Sequence, residues 1–176
     1  ISPPISPPGS PSDTAGQAGA DGIRGAWQPH HARFYYYGVT VSYTCEALED
    51  QVRRILLYLG ARGDLTISAR GCARGPDRPS HNAWVETDFY APAPAADGRA
   101  TGNAAAQWAR IELTPHHPGF MGNGDCELVQ DMKDLVVNNF NARDLAYTTD
   151  CFPHELSIDG FAVKGQTLKM TAPTSG

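Results

Sequence analysis

The chain has 176 residues, and its 14 Lys and Arg stand against 19 Asp and Glu, which gives a formal net charge of −5 at pH 7. This acidic balance, without a basic stripe, argues against a nucleic-acid-binding protein. No apolar run approaches the roughly 20 residues that a helix needs to cross a bilayer. An apolar content of 41% is enough for the core of one domain with an extended segment attached.

Residues 1–26 are predicted to form an extended tail rich in Pro, Gly and Ser, in which Ile-Ser-Pro-Pro occurs twice in succession. Proline fixes φ and favours polyproline II, so this tail is not expected to join a core. It is interpreted either as a solvated spacer behind a cleavage site or as a peptide arm that lies across a partner. The candidate contact residues of the arm are Pro3, Pro4, Pro7 and Pro8.

A single domain is predicted for residues 27–176, and its first strand contains an aromatic run. Apolar residues alternate from Tyr35 to Tyr43, as expected for a strand with one buried face. The adjacent Tyr35, Tyr36 and Tyr37 place rings on both faces of this strand. One face is expected in the core, and the other is covered either by a partner or by the segment around Trp27. These three tyrosines are therefore candidate interaction residues.

A helix and two strands follow. Thr44 is a suitable N-cap, Gly60 suits the helix end, and large apolar residues between them fall on one helical face. Alternation at residues 65–70 and 85–89 predicts the two strands.

The second half of the chain has the same order of elements. A small-residue linker is predicted over residues 91–106, followed by a strand at 109–113 and a helix capped by Asp125. A strand begins near Leu145, and residues 158–170 form another strand or a hairpin bent at Gly165. The chain is thus interpreted as two β-α-β-β repeats, at about 27–92 and 107–170.

The four cysteines occupy matching positions in the two repeats. Cys45 and Cys126 each begin a helix, and Cys72 and Cys151 each follow the next strand. Because a right-handed β-α-β crossover returns its second strand parallel to the first, both members of each pair lie at one edge of the sheet. We therefore predict the disulfides Cys45–Cys72 and Cys126–Cys151 and an oxidising compartment. Reduced, buried thiols in a cytosolic protein are the alternative, and a zinc site is disfavoured because no C-x-x-C pair is present.

Two histidine doublets are the candidate metal ligands. In loops, His30, His31, His116 and His117 are expected to reach one copper or zinc ion with help from His81 or His154. The alternative is that these imidazoles lie in solvent or pack on aromatic rings. Neither HExxH nor HxH is present to sharpen the metal interpretation.

Charged residues also recur between the repeats. The acids Glu46 and Asp50 correspond to Glu127 and Asp131. The two glutamates are explained by the positive ends of the helix dipoles, and a catalytic pair is the alternative. The recurring arginines Arg62 and Arg143 are expected to face the negative ends of the helices.

The expected fold is α+β, with a ferredoxin-like-type sandwich that places two helices on one face of a mainly antiparallel sheet. There is no GxSxG, P-loop or GxGxxG motif, so neither an enzyme nor a cofactor is expected. The chain starts at Ile1, and we expect an extracytoplasmic (periplasmic or secreted) protein after removal of a signal peptide. The predicted function is an accessory or structural protein that binds a larger protein assembly through its sheet face and arm. The alternatives are periplasmic copper, zinc or small-ligand binding through the histidine doublets, and an enzyme with a site between the repeats.

Overall fold

The computed structural model describes residues 23–74, 78, 80–95, 104–154 and 160–171. Within them, six strands form one antiparallel sheet in the order β2-β3-β1-β4-β6-β5, so the α+β class is confirmed. The strands are β1 Ile23–Tyr37, β2 Thr66–Arg70, β3 Asn82–Pro94, β4 Ala104–Leu113, β5 Ala142–Thr149 and β6 Phe161–Met170. The helices are α1 Cys45–Leu59, α2 Cys126–Asp131 and α3 Lys133–Asn139, and a 3-10 turn at Asn123–Asp125 precedes α2. No helix in these ranges is long and apolar enough to cross a membrane.

The two sides of the sheet have the same arrangement about its centre. On one side β3 lies between β1 and β2, and on the other β6 lies between β4 and β5. The sides meet through a short pairing of Ile23–Gly25 with Ala104–Ala106. At its middle Arg24 pairs with Ala105, and these two residues have the same spacing in the sequence as Cys45 and Cys126.

The first strand differs from its prediction at both ends. It begins at Ile23, inside the expected tail, and ends at Tyr37 instead of continuing to Tyr43. The chain turns at Gly38, where a Cβ atom would lie 2.2 Å from the carbonyl oxygen of Val41. The hydroxyl of Tyr36 donates to that same oxygen at 2.6 Å, so the turn is folded around the Tyr36 ring.

The predicted linker is also shorter than expected. Residues 91–94 complete β3 and residues 104–106 begin β4, because both segments pair with β1. Residues 96–103 lie outside the described part of the chain.

The first helix matches its predicted signals. The Thr44 side chain accepts a hydrogen bond from the Ala47 N–H, and Gly60 ends the helix with φ of 114°. Its buried face consists of Leu48, Gln51, Val52, Ile55, Leu56 and Leu59.

The second predicted helix is divided, so the sheet carries three helices where two were expected. The division falls at Met132, which lies 1% exposed in the core. Hydrogen bonds from Met132 N–H to Leu128 and from Val136 N–H to Met132 continue across it. The two short helices therefore bury one apolar surface, as a single helix would.

The helices cover one face of the sheet and connect its two sides. Both α2 and α3 pack on β1, which belongs to the first half of the chain. In the other direction, the hydroxyl of Tyr58 in α1 donates to the Glu112 carbonyl of β4 at 3.1 Å and accepts the Glu112 N–H at 3.0 Å. One continuous core results, with each half of the chain supplying helices to the strands of the other.

Two disulfides tie helix starts to strand ends. Cys45 is bonded to Cys72 with a Cα–Cα distance of 5.2 Å, and Cys126 to Cys151 at 5.7 Å. Each bond therefore lies within one half of the chain.

Candidate interaction surface

The side of β1, β2 and β3 that faces away from the helices carries a row of aromatic and arginine side chains. Tyr35 in β1 pairs with Trp84 in β3, and Trp84 pairs with Arg70 in β2. Because neighbours across strands share a face, these three side chains project together. Tyr37 and Arg33 lie two residues to either side of Tyr35 and share this face.

The rings of Tyr35, Tyr37 and Trp84, here named the aromatic patch, form a contacting group on the solvent-facing side of the sheet. The Tyr35 and Trp84 centroids are 4.3 Å apart in an edge-on arrangement, and those of Tyr35 and Tyr37 are 6.1 Å apart. Both tyrosines are 53% exposed. The guanidinium of Arg33 lies 5.7 Å from the Trp84 ring. Large aromatic side chains that remain exposed as a group are typical of surfaces that bind another molecule.

Tyr36 corrects the expectation that all three tyrosines are interaction residues. Its side chain is only 2% exposed and packs edge-on against Tyr43. Burial, with a smaller contribution from Glu127 and Asp131, raises the pKa of Tyr36 well above its usual value. The residue belongs to the core, and Tyr35 and Tyr37 alone of the three are available to a partner. The segment around Trp27 does not cover them, because Trp27 is itself part of β1.

The aromatic patch continues along the same strands into a shallow groove of about 390 Å³. His31 and Asp88 pair across the strands there, with Nδ1 2.8 Å from Oδ1, and both side chains are more than half exposed. Asp64, Thr66 and Tyr90 are among the other residues that line this groove. The groove offers carboxylate and imidazole groups beside a ring, which suits a small polar ligand.

The structure places the four candidate metal ligands in different environments. His30 and His31 lie on a strand and therefore point to opposite faces: His31 bonds Asp88, while His30 stacks on Phe89 at 5.4 Å. The other doublet, His116 and His117, follows β4, and His117 lies 6.3 Å from the Tyr58 ring. Of the two additional candidate ligands, His81 forms a hydrogen bond between its ring Nδ1 and the Gly38 carbonyl oxygen, and His154 donates its backbone N–H to the Thr40 hydroxyl. Among the described residues, no group of three or more His, Cys, Asp or Glu side chains is placed to hold a metal ion.

Acids from the second half of the chain hold the turn that follows β1. Glu127 accepts hydrogen bonds from the N–H and hydroxyl of Thr40 at 3.0 and 3.1 Å, and Asp131 accepts the Tyr37 N–H at 2.7 Å. Burial raises the pKa of Asp131, as does Glu127 to a smaller extent, while the bond from Tyr37 acts in the opposite direction.

Asp125 was expected to cap the helix, but its side chain makes no cap hydrogen bond to α2. It accepts instead from Gln51 at 2.9 Å, from the Gly122 N–H at 2.7 Å and from the hydroxyl of Tyr43. All three acids thus accept hydrogen bonds from the first half of the chain, and this arrangement explains them structurally.

The acids at the matching positions in the first half of the chain have other surroundings. Asp50 forms an exposed ion pair with Arg54 at 2.6 Å, and Glu46 is exposed in the first turn of α1.

The recurring arginines stack on aromatic rings instead of facing the helix ends. Arg62 lies 3.8 Å from the Tyr90 ring centroid and 5.7 Å from that of Trp27, and Arg143 lies 4.5 Å from Trp108. Trp27 and Trp108 are related by the same spacing as the two arginines, a correspondence that the sequence reasoning missed. Arg62 also pairs with Asp64 at 2.7 Å and lowers the pKa of that carboxyl group.

Trp84, Arg33 and Arg70 were not singled out from the sequence either, although Trp84 occupies an outward position in the alternating pattern of β3. The arm prolines Pro3, Pro4, Pro7 and Pro8 lie outside the described residues. Comparison with models of known protein families, with curated proteins and with solved structures finds no match for this chain.

Proposed function

We propose that this protein is a non-enzymatic accessory or structural subunit that binds a larger protein assembly through the aromatic patch and the N-terminal arm. The observation that carries the proposal is the exposure of Tyr35 and Tyr37, at 53% each, beside Trp84 on a sheet face that the helices leave open. Tyrosine, tryptophan and arginine are the residues most enriched where binding energy concentrates in protein interfaces. All three types meet in this one row.

The scaffold behind this surface is proposed to be a duplicated β-α-β-β unit in a ferredoxin-like layout. The matching strand order on the two sides and the central pairing of Arg24 with Ala105 support this interpretation. The recurrent Arg–Trp stacks support it as well, since matched tertiary contacts are expected of two copies of one unit.

The proposed compartment is extracytoplasmic, either periplasmic or secreted. Two disulfides that use all four cysteines are compatible with it, because such bonds persist mainly in oxidising environments.

The test is affinity purification from the native source with full-length bait and a Tyr35→Ser/Tyr37→Ser variant. A Val137→Ser variant is the matched control, because Val137 is 49% exposed on the helical layer. We expect a partner that co-purifies with the wild type and the control but not with the tyrosine variant. A partner set that is the same for all three baits rejects the role of this face.

The second candidate function is binding of a small polar ligand in the groove beside His31 and Asp88. It is supported by the exposed imidazole and carboxylate that line this groove. Isothermal titration with copper, zinc and small amines, on the wild type and on a His31→Ala variant, tests it. Uptake that is unchanged in the variant excludes the groove as the site.

A further inference from the structure

Resting on the proposed function, we infer that the partner at the aromatic patch is a second copy of this chain, whose residues 1–8 bind across Tyr35, Tyr37 and Trp84. The assembly is then a dimer in which each copy supplies its arm to the open sheet face of the other.

The chemistry of the arm matches the surface. Proline-rich segments in the polyproline II conformation dock on aromatic-lined surfaces, and they lose little conformational entropy because the conformation is preformed. In that conformation Pro4 and Pro7 fall on one edge, three residues or about 9 Å apart. This edge spans the contacting rings of the aromatic patch, whose Tyr35 and Tyr37 centroids are 6.1 Å apart.

The reach of the chain favours a second copy over the arm's own domain. Tyr35 lies 12 residues along β1 from Ile23, where the described chain begins, and this is about 40 Å at the rise of a strand. A Gly-rich segment as long as residues 9–22 spans about 20 Å on average and about 50 Å when fully extended. Docking on its own face requires the segment to double back at nearly full stretch. A second copy is not bound by this distance, and reciprocal exchange closes the assembly as a twofold dimer.

Sedimentation velocity on the full-length chain, over micromolar to several hundred micromolar concentration, tests the inference. We expect a concentration-dependent dimer that an excess of the synthetic peptide of residues 1–10 dissociates. The variants Pro4→Ser/Pro7→Ser and Tyr35→Ser/Tyr37→Ser should each weaken dimerisation by about tenfold or more, which is the effect of removing a central aromatic or proline contact. The exposed helical-layer variant Val137→Ser should dimerise as the wild type does.

A chain that stays monomeric at all concentrations overturns the inference, and so does a dimer that neither the peptide nor the proline variant affects. NMR that shows the synthetic peptide binding away from Tyr35, Tyr37 and Trp84 also overturns it, because the arm then does not dock on the aromatic patch. The proline variant decides the matter even if the tyrosine variant folds poorly, because it leaves the residues of β1 unchanged. If the chain is monomeric while the tyrosine bait still loses its co-purifying partner, the inference fails and the proposed function stands. If the chain dimerises as expected but the co-purifying partners are the same for every bait, the proposed function fails and the inference stands.

Discussion

Removal of either disulfide should destabilise the protein by nearly the same amount. The bonds close loops with sequence separations of 27 and 25 residues. A cross-link restricts the unfolded chain in proportion to the logarithm of loop length, and loops of this size correspond to about 3.5 kcal/mol each at 25 °C. The near-equality follows from the two similar loops, and it holds even if the absolute value differs.

The assay is urea unfolding, followed by circular dichroism, of Cys45→Ala/Cys72→Ala and of Cys126→Ala/Cys151→Ala. Alanine is preferred to serine because Cys72 and Cys126 are buried. We expect each variant to lose about 3 to 4 kcal/mol and the unfolded state to become less compact, which raises the m-value. A difference above about 2 kcal/mol between the two variants would refute the loop-entropy reasoning, because the loop lengths differ so little. A non-reducing peptide map that links cysteines across the halves would refute the pairing itself.

Three further predictions concern single residues. Glu127→Ala removes the charged acceptor of the half-buried Thr40 N–H and hydroxyl and should cost about 1–3 kcal/mol in urea unfolding, whereas Glu46→Ala, at the equivalent exposed position, should change stability by less than about 0.5 kcal/mol; equal effects would contradict the role of Glu127 in holding the turn. Asp131 has a pKa raised above 3.8 in the folded state, so its contribution to stability is fully present below that pH and is lost as pH rises through the folded pKa. Asp131→Asn should flatten this part of the stability–pH curve, and an unchanged slope would contradict it. Gly60→Ala forces a side chain into φ of 114° with its Cβ 3.2 Å from a carbonyl oxygen and should lower stability by about 1–2 kcal/mol, while Gly63→Ala, with open space around it, should not; thermal melts that shift equally for both would exclude the strain.

Local signals in the sequence were sufficient where a residue acts on its own neighbours. Thr44 and Gly60 cap the two ends of α1 as predicted, because a cap depends only on the adjacent backbone. The end of β1 was not predictable, since Val39, Val41 and Tyr43 continue the alternating pattern of a strand. The strand ends where the turn closes around Tyr36, and Asp131 and Glu127 from the other half of the chain hold that turn.

The interaction surface was predictable only in part. The aromatic run identified the strand, but alternation alone does not tell which face the helices cover. That choice depends on α2 and α3, which come from the other half of the chain and bury Tyr36. Trp84 and Arg70 join the surface through strand pairing, and pairing partners cannot be read from either segment alone.

The acids show why equivalence in sequence does not imply equivalence in role. Glu46 and Glu127 both begin a helix, and the helix dipole favours a carboxylate at each position. Only Glu127 lies opposite the turn that follows β1, because α2 packs on a strand of the other half, and there its carboxylate binds Thr40. This bond and that of Asp131 to Tyr37 fix the end of β1 from behind the sheet. The same interaction that buries Tyr36 therefore leaves Tyr37 on the opposite face, so acids from the second half of the chain help to present the exposed tyrosines of the first half.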